Sequence, residues 1–204
     1  MKKMFWITLL VLSCSAAAFS ADSKSTAKAK KELQNAIKSA GNNNFEKMYE
    51  SAKKAQALDP RLAGPYAYSG LYLYRVGQFD AAEKEFQKCL TLDANFAMAR
   101  AYLGNILFDR GESERALDEW NASVRLDSKS PEALASIAVG LFGIGKTTEA
   151  VQQYKKALMY DRRYYEPDFL LDRKKGAAWG RKKVDAAAPL LQKIEKPKFP
   201  YSGS

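Results

Sequence analysis

The chain has 204 residues, 47% of them hydrophobic, with no histidine, two cysteines and a net charge of +10. That length and apolar content suit one compact domain or one short solenoid, and they exclude a globally disordered chain. Without histidine the commonest general base and metal ligand is missing. Cys14 sits near the start, so a processed chain keeps only Cys89, which excludes an internal disulfide and a cysteine metal cluster.

The chain begins with Lys2 and Lys3, an apolar run from Met4 to Leu12, and small residues at Ala18 and Ser20. This is the pattern of a secretory leader cut before Ala21. The apolar run is nine residues, short of the roughly 20 an ordinary membrane-spanning helix needs. Residues 1–20 are therefore expected to be a signal peptide and the product to be exported, to the bacterial periplasm. Val11-Leu12-Ser13-Cys14 offers an alternative, because it resembles a lipoprotein box in which Cys14 would carry lipid and tether the chain to a membrane. Losing the leader lowers the charge from +10 to +8, since residues 1–20 hold two lysines and no acid. What remains lies in the flanks: +3 over residues 22–31 and +6 over 162–204, with the middle near neutral. Such ends suit an anionic membrane surface or an acidic partner, or are solvated surface charge. Nucleic acid is not an expected partner of an exported protein.

Residues 21–28 are polar and small and are expected to form a flexible lead. A helix is expected over about Thr26 to Ala40, then a turn at Gly41-Asn42-Asn43-Asn44. A second helix, Phe45 to Leu58, carries Phe45, Met48, Ala52, Ala55 and Leu58 on one face. Asp59-Pro60 ends it, because proline cannot continue the hydrogen-bond ladder. From Ala63 a pattern repeats every 34 residues, starting again at Ala97 and Pro131. Position 8 of each unit is Gly70, Gly104 and Ala138, a small residue where two helices cross. Position 15 is Gly77, Gly111 and Gly145, where a helix end wants a left-handed residue. Position 20 is Ala82, Ala116 and Ala150, facing that crossing. Position 24 is Phe86, Trp120 and Tyr154, a large ring between units. Positions 30 and 31 read Leu92-Asp93, Leu126-Asp127 and Tyr160-Asp161. A weaker copy fills 29–62.

Equal length and these positions, in tandem without a gap, resemble the tetratricopeptide repeat, a unit of two antiparallel helices. The resemblance covers residues 29–164 as four repeats, 29–62, 63–96, 97–130 and 131–164. It departs from the family at position 4, where Tyr66, Arg100 and Leu134 stand for a frequent Trp, and at position 32, where Ala94, Ser128 and Arg162 replace a frequent Pro. It implies an all-α, right-handed α-solenoid whose concave face is lined by the first helix of each unit and holds protein segments. Carried over to this chain, the family's concave positions are Leu71, Tyr74 and Arg75; Met98, Asn105, Phe108 and Asp109; and Glu132, Val139 and Phe142. Tyr74, Phe108 and Phe142 share one position, so they form either a ladder of rings for an apolar peptide or packing between neighbouring helices. Asn105 reads as a lone groove amide, without the basic cluster that would bind a peptide carboxylate. Residues 165–195 are expected as capping helices that cover the last repeat, with Pro189 kinking the second or opening a third, and 196–204 as a disordered tail.

Other motifs carry little. Cys89 sits where a small buried residue packs. Asn121-Ala122-Ser123 is a glycosylation triplet in mid-helix. Gly140 to Thr147 formally matches a phosphate loop, but its turn joins two helices rather than a strand to a helix. No catalytic, cofactor or metal constellation emerges, and the expected function is a non-enzymatic scaffold whose partner is another protein.

Overall fold

The computed structural model describes residues 23–173 and 176–194. The leader with Cys14, and the tail expected over 196–204, lie outside them. Helix α1 spans residues 23–41. It is followed by α2 (Phe45–Leu58), α3 (Ala63–Arg75), α4 (Phe79–Leu92), α5 (Ala97–Asp109), α6 (Ser113–Leu126), α7 (Pro131–Gly143) and α8 (Thr147–Tyr160). A 3₁₀ turn (Arg162–Tyr165), α9 (Pro167–Leu171) and α10 (Arg181–Leu191) complete the order. There is no strand among the described residues. Helices α3 and α4, α5 and α6, and α7 and α8 pack as hairpins, and each hairpin lies on the next.

The repeated positions do the packing. Phe86, Trp120 and Tyr154 are each fully buried. A Cβ on Gly70 would stand 2.6 Å from the Phe86 ring, and one on Gly104 would stand 2.5 Å from Trp120. A small residue on the first helix is therefore what admits the ring of the second. Gly77, Gly111 and Gly145 take φ of +83°, +91° and +84° at equivalent corners. Beyond each corner the chain bonds back to the helix, as Gln78 N–H does to Leu73 O at 2.8 Å and Glu112 N–H to Leu107 O at 2.9 Å. These bonds satisfy carbonyls that a helix end leaves open.

The recurrent aspartates end the second helices. Asp59, Asp93, Asp127 and Asp161 all turn to extended backbone. Each carboxylate accepts from the N–H two residues on, in Arg61, Asn95, Lys129 and Arg163, at 2.9–3.1 Å. This is the self-bonded turn that aspartate favours. Its presence in all four units explains the repeated aspartate and ties the weak first copy to the rest.

Three expectations need correction. Residues 23–28 are not a flexible lead: they are the first turns of α1. Ser25 Oγ donates to Leu58 O at 2.6 Å and Thr26 Oγ1 to Asp59 at 2.8 Å, so the end of α2 holds them. Pro189 does not open a third helix; it lies in the last turn of α10, which continues to Leu191. The C-terminal segment does more than cap. The 3₁₀ turn packs on α8, with Tyr154 Oη donating to Tyr164 O at 2.9 Å, and α9 packs on that turn. From there the chain turns back across the inner helices.

Candidate functional site

The inner face of α3, α5 and α7 is occupied by the chain's own C-terminal arm, of which residues 172–173 and 176–191 are described. The arm reaches α3 first. Arg75 Nη2 donates to Gly176 O at 2.9 Å, and Arg173 Nη1 donates to the carbonyls of Tyr74 and Arg75 at 3.1 and 3.2 Å. It then crosses α5, where Gly180 lies against Asp109 so closely that a Cβ there would be 2.5 Å from the carboxylate. Lys182 Nζ stands 5.7 Å from the centre of the Phe108 ring. Helix α10 then returns over α7 and α8, burying Val184, Ala187, Leu190 and Leu191 in their cluster.

At the centre is one fully buried ammonium. Lys183 Nζ donates to Asn105 Oδ1 at 2.6 Å, Ser136 Oγ at 2.5 Å and Glu132 Oε1 at 2.9 Å. All three of its N–H groups are thereby engaged. It stands 3.8 Å from the Trp179 ring centre and 5.2 Å from that of Trp120, within the range of cation–π attraction. Glu132 also accepts from Asn105 Nδ2 at 2.7 Å, Trp179 Nε1 at 2.8 Å and Tyr164 Oη at 2.8 Å. Asn105 Oδ1 is itself held by Trp120 Nε1 at 3.0 Å. Burial drags the Lys183 ammonium down to about 8, against the attraction of Glu132. Burial alone would raise Glu132, but Lys183 with the donors Asn105 and Trp179 holds it below the ordinary range. Burial raises the Asp109 carboxyl, with Lys183, Lys182 and Arg173 pulling the other way. An ion pair this deep persists only because nearly every polar atom in it is satisfied.

The residues assigned to the groove divide into three sets. Arg75, Asn105, Asp109 and Glu132 meet the arm, and Phe108 lies under Lys182 while leaning on Trp120 at 5.6 Å. Leu71 and Val139 are buried in the core, and Tyr74 is wholly enclosed between Phe79 and Tyr102, at 5.5 and 5.1 Å. Met98 and Phe142 are half-buried at the edges. Tyr74 and Phe108 thus pack between helices, the second of the two roles open to these rings, and no open ladder of three is present. Asn105 is not a lone amide; it joins Glu132 and Lys183. Reading by repeat position misses Ser136, Tyr164, Trp179 and Lys183. A signal for them existed: Asp109 and Glu132 sit at inner positions against one inner cation, Arg75, while Trp179-Gly180-Arg181-Lys182-Lys183 supplies cations and an indole donor.

A tetratricopeptide-repeat family model matches residues 69–131. No curated protein shows significant sequence similarity to the chain. Among solved structures, pilF of Pseudomonas aeruginosa is similar at 16% identity and a TM-score of 0.57, over 83% of this chain and 74% of that one. YrrB, described as a tetratricopeptide-repeat protein with an unusual peptide-binding site, is similar at 20% identity and 0.51, over 79% and 84%. The first tetratricopeptide-repeat domain of Spaghetti, bound to the HSP90 peptide SRMEEVD, is similar at 16% identity and 0.51, over 59% and 95%. With hairpins in the expected register, glycine corners at equivalent places and a family match across the middle units, the chain has the fold of a tetratricopeptide-repeat solenoid.

Proposed function

We propose that the chain is a non-catalytic protein–protein interaction scaffold that holds a peptide or protein segment on its concave face, and that it does so in the bacterial cell envelope after export. One observation carries the binding half: the inner wall already holds a polypeptide, the arm, through backbone carbonyls, a buried ammonium and an indole N–H. Two similar structures are described as peptide-bound or peptide-binding, which supports the same use of the fold. Export rests on residues 1–20, and a lipid at Cys14 is the alternative form of it.

Photo-crosslinking tests the binding half. A photoreactive residue replaces the groove-edge residues Met98 or Phe142 in one set, and Met159, 80% exposed on α8, in another. Capture of one defined partner from the groove positions and not from Met159 is the expected result. Capture from Met159 alone would move the interface to the outer helices. Intact mass of the product tests export: a start at Ala21 is expected, a lipidated Cys14 would give the tethered form, retention of Met1 in the membrane fraction would mark an uncleaved anchor, and retention of Met1 in a soluble cytoplasmic product would remove the envelope from the account.

A further inference from the structure

The arm is seated like a ligand, and its fit is imperfect. Of the buried side-chain polar atoms with no hydrogen-bond partner among the described residues, three lie along its track: Tyr74 Oη, Arg75 Nε and Asp109 Oδ1. Ala178, in the middle of the track and fully buried, takes φ +58°, a left-handed conformation that a residue with a Cβ adopts only under constraint. A cleft of about 660 Å³ between the Gly77 corner and the end of α5 opens beside Asp109, so the arm leaves part of this acidic edge uncovered. Strain and unmatched polar atoms concentrate where the chain crosses α3 and α5, whereas α10 beyond Lys183 is packed on an apolar cluster.

The floor under the arm is defined by acceptors. Glu132, Asp109 and the Asn105 carbonyl face it, and its one cation, Arg75, is turned onto the Phe45 ring at 3.8 Å and the Gly176 carbonyl. An acidic segment, such as the HSP90 peptide on the Spaghetti domain, would meet like charge here. A segment presenting an indole N–H and, four residues on, an ammonium would meet what Trp179 and Lys183 now supply.

We propose that the concave face is a groove for a Trp- and Lys-bearing segment, held shut by the chain's own arm as an internal occupant, and that its partner is a basic polypeptide carrying Trp with Lys four residues later, which replaces Trp179 and Lys183. This rests on the scaffold reading for its purpose, though not for its test. An internal occupant lowers the apparent affinity of an external one by the fraction of molecules that are closed.

The probe is a fluorescent peptide of residues 176–194, titrated by anisotropy into the full chain. The receptors are the wild type and a Trp179→Ser, Lys183→Ser double variant, whose internal copy has lost both anchors. The peptide is expected to bind the variant at least tenfold more tightly than the wild type, and a peptide with Lys183→Glu is expected to bind neither. Failure to bind a variant that keeps its helical circular dichroism and cooperative melting, or equal affinity for both receptors, would overturn the proposal. Should the variant not fold, hydrogen exchange of the wild type decides. Amides of Trp179 and Val184 exchanging at least tenfold faster than those of α5 and α7 would support an opening arm, and equal protection would refute it. A shut arm with partners captured through Phe142 or Met159 would leave the scaffold standing, whereas an opening arm without any captured partner would remove the scaffold and leave the groove.

Discussion

The stack and the arm are held by different physics. In the stack, the same joint is made three times from shape: a small residue on one helix, a ring on the next, and a glycine at the corner. Each joint is set by shape, is local in sequence and stacks on at least one copy of itself, so the loss of one is shared by its neighbours. The arm is made once. Its hold on the inner helices depends on contacts up to 101 residues apart, of which Arg75 to Gly176 is the longest, and on a buried ion pair with no second copy. Packing by shape degrades by degrees, but a buried charge that loses its partner fails abruptly.

The largest expected effect therefore lies in the arm. Lys183→Met leaves Glu132 buried and unpaired and should cost about 3–5 kcal/mol, read as a lower urea midpoint. Adding Glu132→Gln, neutral yet still an acceptor for Trp179 and Tyr164, should recover most of that loss. If the single variant were as stable as the wild type, the pair would not hold the arm and the contrast would collapse.

Next in size is a shape error in the stack. Gly104→Val pushes a branched side chain into the Trp120 indole and should cost about 1–3 kcal/mol, seen in thermal melting together with altered tryptophan fluorescence. Smaller still are the corners. Gly145→Ala forces alanine to φ +84° and should destabilise by about 1 kcal/mol. Gly143→Ala, two residues away with nothing within 4 Å of the added Cβ, should stabilise by about 0.5 kcal/mol through a better helix former. Opposite signs at such neighbouring positions would confirm that conformation, and not space, sets the corner.

The smallest effects concern surface charge. The Arg110 pairs with Asp80 and Glu83, both 2.7 Å, and the Arg61–Asp59 pair, 2.8 Å, have arginines that face water. Such pairs are worth about 0–1 kcal/mol, and 1 M salt should remove that much from the melting free energy while leaving the Lys183–Glu132 pair intact. The hydrogen bonds of Arg61 and Thr26 hold the Asp59 carboxyl well below its usual range. Its folded pKa is therefore the lower one, so its contribution is present above the unfolded value of about 3.9 and is lost as pH falls below it. Asp59→Asn should flatten the loss of stability between about pH 4 and pH 2, measured by denaturant titration at each pH.

Much of the stack was legible because its determinants are periodic. Gly77, Gly111 and Gly145 recur at one spacing, as do Phe86, Trp120 and Tyr154, and a recurrence of that kind has one structural explanation. The recurring aspartates were visible as a pattern, but their self-bonded turns appear only in coordinates. The start of α1 was placed a few residues late because Ser23, Lys24 and Ser25 look like loop residues until Leu58 is placed beside Ser25. At the site, position within the repeat located Asn105, Asp109 and Glu132 on the inner wall. It could not say that Tyr74 would be sealed in by Tyr102, since both roles of that ring fit the same spacing.

By itself the amino-acid order determined that helices pair, where they turn and that the pairs stack, because helix periodicity, glycine corners and small-against-large crossings act between near neighbours. What lies on the inner wall was decided only by the tertiary structure. Lys183 finds Glu132 across 51 residues and Asn105 across 78, through a segment that shares no period with the repeats. A contact of that kind is specified by complementary charge and by the room left between helices, and neither exists until the stack has formed.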